Sequence, residues 1–255
     1  FFENNYGVSA GACHLCSYLA KQYKRAFRVN VDYLNDKRYC SVHSLLKTGN
    51  LFGAEMLYDI IPNELDLFDY DTYNKNESNF YVVITDINTG KPEYVKIGDL
   101  KKDIIYVRAS SSLPLLAQNV KINDKEYLDG GISDSIPIKK SIADGNKKNV
   151  VILTRDSTYR KGKNSLMPII KLKYKKYPNF VKSMADRYIV YNEILDFIKE
   201  LENNGDVFVI RPKKPVNIGR TEKNREKLEA LYNDGYNDAK DCYEELLKYL
   251  GKENL

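Results

Sequence analysis

Short β-branched runs alternate with longer stretches of helical periodicity along most of the chain. Segment 1–6 is a brief, partly aromatic run ending at Gly7, and Ala10–Gln22 carries helix-compatible residues with few breakers. A strand, a sharp turn and a helix are predicted there. Asn79–Ile87 (NFYVVITDI) and Asn149–Arg155 (NVVILTR) are β-branched runs of the kind that fill a buried, mostly parallel sheet, and both are predicted as central strands. Val120–Leu128 alternates about Asn123-Asp124, which suits a tight hairpin delivering Asp129 at a strand end. Val207–Arg211 offers a further strand, while Phe180–Leu201 and Arg225–Leu250 read as long helices, the second with Gly235 as a candidate break. Strands alternating with helices predict an α/β layered fold. No internal repeat or low-complexity linker divides it, so the expectation is one domain, with a core over 1–155 and a C-terminal extension over 156–255 packed on it.

Composition narrows the class. A chain of 255 residues with 43% hydrophobic content can bury a sizeable core, which excludes simple disorder. No apolar run approaches the roughly 18 residues that a bilayer-crossing helix needs. The balance of 40 basic against 35 acidic residues gives +5, short of the signature of a dedicated nucleic-acid binder, so no nucleic-acid partner is expected. Four cysteines are too sparse for a disulfide scaffold, and no secretory leader opens the sequence, so a reducing cytoplasmic setting is expected. The start at Phe1-Phe2, without methionine, suggests that a segment upstream is missing. Charge is uneven: residues 155–176 hold eight Lys/Arg against one Asp, and residues 59–77 hold six acids against one Lys. Each reads first as a solvated surface. In the basic stretch, however, Leu166, Ile169, Ile170, Leu172 and Tyr174 interleave with the lysines, which also suits peripheral contact with anionic lipid headgroups.

The chemistry concentrates near the amino end. Gly7-Val8-Ser9-Ala10-Gly11 matches G-x-S-x-G, in which a serine on a strained strand-to-helix turn exposes its hydroxyl and flanking glycines let backbones approach. A serine nucleophile needs a base, usually histidine. The chain has only His14 and His43, and no histidine follows residue 43, so the order Ser, acid, His of the common hydrolase triad is not easily met: its acid would have to come from the short stretch around Asp32 to Asp36. The remaining candidate base is a carboxylate, and Asp129 in Asp129-Gly130-Gly131 stands out because it ends a predicted strand beside two residues without side chains; the same tripeptide also suits an ordinary turn. Cys13-His14-Leu15-Cys16 and Cys40-Ser41-Val42-His43 admit three readings: core cysteines, a Cys₃His zinc site or a redox C-x₂-C pair.

Taken in order, Gly7-Val8-Ser9-Ala10-Gly11, Ala109-Ser110-Ser111-Ser112-Leu113-Pro114 and Tyr127-Leu128-Asp129-Gly130-Gly131-Ile132 followed by Ile136-Pro137 resemble the landmarks of bacterial patatin-like phospholipases. The resemblance covers about residues 1–155 as the core. Tyr188–Leu201, Phe208–Pro212 and Lys227–Lys240 look like the C-terminal region of one bacterial subgroup. What it implies is a three-layer α/β/α fold with a mostly parallel sheet, and a Ser-Asp dyad hydrolysing acyl esters of lipids through an acyl-enzyme. By motif match, Ser9 would be the nucleophile and Asp129 the base. Gly7, Ala10, Gly11, Gly130 and Gly131 would supply oxyanion or structural support. No metal or organic cofactor is implied, and no calcium-binding loop is evident.

A carboxylate, ordinarily near ~3.9, is a weaker base than imidazole near ~6.5, so Asp129 is expected within hydrogen-bond reach of Ser9 in a partly dry cleft. Family members also carry an oxyanion loop of the form D-G-G-G-x-R/K-G upstream of the nucleophile; no Gly-Gly-Gly occurs here. The expectation is that the Ala10 backbone N–H is the one donor left and that this chain turns over esters slowly, since each lost donor typically costs about 10²–10³ in rate. The alternative is a non-catalytic module that uses the basic stretch to bind anionic lipid.

Overall fold

The computed structural model describes residues 2–252; Phe1, part of the predicted opening strand, lies outside them. The chain divides into two compact units. The first runs to Pro137 and takes in Lys163–Tyr188 as well; the second comprises Ile138–Gly162 and the chain from Ile189 onward.

The first unit is built on a five-stranded mixed sheet. Strand β1 (Asn4–Val8) leads through Ser9 into helix α1 (Ala10–Leu19), as the breaker pattern predicts. Short helices α2 (Arg25–Val31) and α3 (Val42–Thr48), a wide helical segment over Met56–Leu65 that contains Pro62, and α4 (Tyr70–Asn74) follow. The acidic run ends partly in ion pairs rather than solvent: Asp66 accepts from Arg28 Nε at 2.8 Å and Nη2 at 3.0 Å, and from Arg25 through its backbone carbonyl.

Strand β2 (Asn79–Asp86) is the axis of the sheet. Its Val82, Val83 and Ile84 are wholly buried, each contributing about 1.5–3 kcal/mol of burial. β3 (Pro92–Ile97) pairs with it antiparallel over Phe80–Thr85. Helix α5 (Leu100–Ser110), whose N-cap Asp99 accepts from Lys101 N–H, returns to the hairpin β4 (Val120–Ile122) and β5 (Lys125–Asp129). The hairpin turns at Asn123, which takes a left-handed φ of 53°.

Register then dictates where the ends of the strands meet. β1 pairs parallel with β2 over Asn79–Val83, and β5 pairs antiparallel over Ile84–Asp86. Because β3 overlaps both of these stretches, it must occupy the opposite edge of β2, and β1 and β5 share one edge. They approach head-on: Val8 sits opposite Val83, and Asp129 opposite Ile84. The residue after Val8 and the last residue of β5 are therefore brought together by backbone pairing alone.

Helices cover both faces. Phe80, Val82, Ile84 and Tyr127 pack with Ala12, Cys16 and Leu19 of α1 and Val107 of α5. The neighbouring Leu128 points the other way, with Ile132, and packs against Ile170 of α7 (Met167–Lys173), Tyr174 just after that helix, and Phe180 and Met184 of α8 (Pro178–Asn203). Successive strand residues facing opposite sides make this a three-layer α/β/α arrangement, the class expected from the alternation of elements.

In the second unit, α6 (Ile138–Ala143) precedes β6 (Asn149–Ile152), which pairs parallel with β7 (Val207–Ile210) in a separate two-stranded sheet. The run Asn149–Arg155, predicted as a central strand, is thus half of a two-stranded ribbon, and only Asn79–Ile87 is central to the main sheet. α9 (Arg225–Asp241), capped by Asn224, passes through Gly235 and stops at Cys242, where α10 (Tyr243–Leu250) begins. A single helical glycine costs about 1 kcal/mol, too little to break a helix of 17 residues. No helix of the described residues is long and apolar enough to cross a membrane.

Candidate active site

Ser9 occupies the turn between β1 and α1 with φ 54° and ψ −125°, a region that L-residues rarely enter and that costs about 1–3 kcal/mol. Three contacts hold it there. Its N–H donates to Ser110 Oγ at 2.8 Å, and its carbonyl accepts from Ala12 N–H at 3.0 Å and Cys13 N–H at 3.3 Å, starting the helix. The tight approach also depends on Gly7, where an added Cβ would lie 2.6 Å from Ala12 Cα. Ser9 is half-buried, so its hydroxyl sits at the rim of the core rather than inside it.

That hydroxyl donates to Asp129 Oδ2 at 2.6 Å. Asp129 is 2% exposed and pinned on every side. Its N–H donates to Ser112 O at 2.9 Å, its carbonyl accepts from Thr85 Oγ1 at 2.8 Å, and its Oδ1 accepts from Gly131 N–H at 2.7 Å. One carboxylate oxygen is thus fixed by backbone and the other faces the serine. Gly130 lies against β2, where a Cβ would meet Val83 O at 2.0 Å. Gly131 leaves room for Arg187, whose Nε donates to Gly131 O at 2.5 Å.

Ala10 and Gly11 supply the first two amides of α1, which take no intrahelical partner, as the first N–H groups of a helix must. Gly11 has open space where a Cβ would sit, so nothing steric demands glycine there. His14 is exposed on α1 and His43 exposed on α3; neither stands between Ser9 and Asp129, whose contact is direct.

The cysteines fall apart as a set. Cys16 lies in the core beneath the sheet and Cys40 in a separate cluster with Met56 and Ile61. Among the described residues no group of three or more His, Cys, Asp or Glu could hold a metal ion. Cys13, one turn beyond Ser9, has its Sγ 3.3 Å from Ser111 Oγ and 3.9 Å from Tyr58 Oη. Desolvation, with a smaller push from the Asp129 carboxylate, raises its thiol pKa, and Tyr58 is raised well above the usual phenol for the same first reason.

Sequence reading left Ser110, Thr85 and Arg187 without a role. Ser110 lay within a quoted landmark, but the partner that explains it is 101 residues away.

The chain matches the patatin-like phospholipase family over residues 2–141, more than half its length. It belongs to that family. Residues 177–251 match a domain of unknown function, DUF6363. The chain is also 26% identical over 231 residues, 84% of its length, to the uncharacterized protein YjjU of Escherichia coli (strain K12), and spans 61% of that protein's length. The family match covers Ser9 and Asp129, and the second match starts just before α8.

Proposed function

We propose that this patatin-like protein is a serine acyl hydrolase acting on carboxylic esters of lipids through a Ser9–Asp129 dyad. The single observation that carries the reading is the direct 2.6 Å hydrogen bond from Ser9 Oγ to Asp129 Oδ2 at a strained strand-to-helix turn. Ser9 Oγ attacks the ester carbonyl while its proton passes to Asp129 Oδ2. The oxyanion is met by the Ala10 amide at the amino end of α1, where the helix dipole favours negative charge. Collapse expels the alcohol, which takes the proton from Asp129, and leaves an ester on Ser9. Water then attacks that ester, gives its proton to Asp129, and the carboxylic acid departs as Ser9 regains its hydrogen. The rigid seating of Asp129 supports this role, because the base needs no reorganisation at the moment of transfer.

The test is hydrolysis of a short-chain aryl ester together with labelling by a fluorophosphonate. Ser9→Ala should abolish both, and Asp129→Asn should lower kcat by about 10²–10⁴. A labelled serine other than Ser9, or undiminished turnover in Asp129→Asn, would sink the dyad.

A second reading is favoured by one observation on α7. Leu166, Ile169 and Leu172 are 49%, 54% and 73% exposed beside Lys171, Lys173, Lys175 and Lys176, while Ile170 and Tyr174 turn into the core. An apolar strip bordered by lysines suits peripheral contact with an anionic membrane. If this is the whole function, vesicle binding persists in Ser9→Ala and no ester is cleaved.

A further inference from the structure

The helix that opens the DUF6363 match reaches the turn that holds the proposed base. Residues 178–188 of α8 belong to the same compact unit as that turn. Asn179, Ser183 and Arg187 recur every four residues, so they line one face of the helix. Each donates to a backbone carbonyl in a turn: Asn179 Nδ2 to Asn88 O at 3.0 Å, Ser183 Oγ to Gly90 O at 2.8 Å, and Arg187 Nε to Gly131 O at 2.5 Å. The fit is close. At Gly90, whose φ is 67°, a Cβ would lie 2.5 Å from Asn179 O and 2.6 Å from Ser183 Oγ. Phe180 and Met184 of the same helix pack with Leu128 and Ile132, the residues on either side of Asp129-Gly130-Gly131.

Arg187 grips that turn where it has most freedom to move. Thr85 and β2 fix it at Asp129 O and at Gly130. Gly131 has no side chain to anchor it, yet its N–H must stay aimed at Asp129 Oδ1, 2.7 Å away. Ser135 Oγ also donates to Gly131 O, at 2.6 Å, but it lies four residues on and closes the turn on itself. Arg187 ties the same carbonyl to a helix seated in the core. Its Nη2 and Asp129 Oδ1 each lie 3.1 Å from the point where a Gly131 Cβ would sit, so the two atoms are no farther apart than twice that distance. A positive charge is therefore held near a buried carboxylate, where an uncompensated charge is costly.

We propose that Arg187 is a positioning residue for the Ser9–Asp129 pair: by holding Gly131 it keeps that residue's amide on Asp129 Oδ1, and so keeps Oδ2 aimed at the serine. The first helix of the DUF6363 match is then part of the active-site scaffold. The proposal rests on the acyl-hydrolase reading above and adds to it a residue beyond the stretch that matches patatin-like phospholipases.

The experiment compares Arg187→Ala, Arg187→Lys and Asn179→Ala in the full chain. It reads kcat and KM on p-nitrophenyl butyrate, and hydrogen exchange of the Gly131 amide by NMR. In Arg187→Ala kcat should fall by about 10–10²-fold, as for a reacting group displaced by up to about 1 Å. KM should stay within about 2-fold, because no surface for substrate is altered. The Gly131 amide should exchange at least ~10-fold faster while the amides of β2 keep their protection. Arg187→Lys, which keeps the charge without the planar fork, should fall between Arg187→Ala and the parent. Asn179→Ala loosens the same helix at the other turn and should leave kcat and Gly131 exchange at parental values. Parental kcat and parental Gly131 exchange in Arg187→Ala overturn the proposal. So does an equal loss of kcat in Asn179→Ala, which would make Arg187 one of several contacts that merely dock the helix. If Arg187→Ala does not fold, Arg187→Lys carries the test, and parental values of both readouts in it are the overturning result. A parent inert on esters, whose Gly131 amide still loosens in Arg187→Ala, counts against the hydrolase reading alone; turnover and Gly131 exchange that both ignore Arg187 count against this inference alone.

Discussion

At φ 54° Ser9 carries strain of about 1–3 kcal/mol, and its amide contact with the wholly buried Ser110 is one of the few interactions available to offset it. Ser110→Ala would leave that N–H unpaired, so the variant should lose about 1–3 kcal/mol in denaturant unfolding. Because the change relaxes the turn that aims Oγ rather than any surface for substrate, kcat on an aryl ester should fall while KM moves little. An unchanged kcat would remove Ser110 from the account of the elbow. Cys13, a turn away, gives a check on local dryness: with its thiol pKa pushed up by desolvation, less thiolate is present at pH 8 than in a free cysteine. Alkylation by iodoacetamide should therefore be at least ~10-fold slower than for a cysteine peptide, and equal rates would mean that water reaches the site freely. The contact of Ser9 with Asp129 was legible in the sequence because glycines flank the serine and follow the aspartate, and no histidine follows residue 43. Ser110 was not, since a serine in the last turn of a helix looks ordinary until its partner 101 positions away is known.

At the level of elements, the glycines around the elbow do different work. Gly7 must admit α1 against β1, and Gly130 must admit the turn after β5 against the backbone of β2, where a Cβ would sit 2.0 Å from Val83 O. Gly11 and Gly235 have nothing within 4 Å of such an atom, and both lie in helices without a positive φ. Gly130→Ala should thus destabilise by more than ~3 kcal/mol or prevent folding, as overpacking of backbone against backbone does. Gly235→Ala should stabilise α9 by about 0.5–1 kcal/mol from propensity alone. Thermal melting of the pair decides it, and similar effects from both would contradict the packing described here. The motif G-x-S-x-G did not separate these cases: it marks where small residues occur, and only the approach of α1 and β2 tells which of them are required. The same limit explains β6. A β-branched run reports burial on two faces but not the number of strands beside it, so Asn149–Arg155 and Asn79–Ile87 looked alike although one is in a two-stranded ribbon and the other is the sheet axis.

For the molecule as a whole, the lipid ester proposed as substrate would be met at an interface, and a net charge of +5 offers little general attraction to an anionic one. What attraction exists must be local. Within the basic stretch of residues 155–176, α7 and the residues at its two ends have a core-facing side, with Ile170 and Tyr174, and an outward side, with Leu166, Ile169 and Leu172 among lysines. Sequence alone could not divide these apolar residues, because all five repeat at helical spacing; packing against Leu128 and Phe180 divides them. Each lysine near an anionic surface contributes about 1 kcal/mol at moderate salt, and full burial of a leucine or isoleucine about 1.5–3 kcal/mol. The two terms are separable by salt, since screening weakens only the first. Binding to vesicles containing phosphatidylglycerol should therefore fall steeply between 50 and 500 mM salt in the unaltered protein. Lys173→Glu with Lys175→Glu should weaken binding at low salt, whereas Leu172→Ser with Ile169→Ser should weaken it at both salt levels. All four positions are exposed, so the substitutions should leave the melting temperature nearly unchanged. Vesicle binding that ignores both pairs would move the membrane-facing surface away from α7 while leaving the Ser9–Asp129 site untouched.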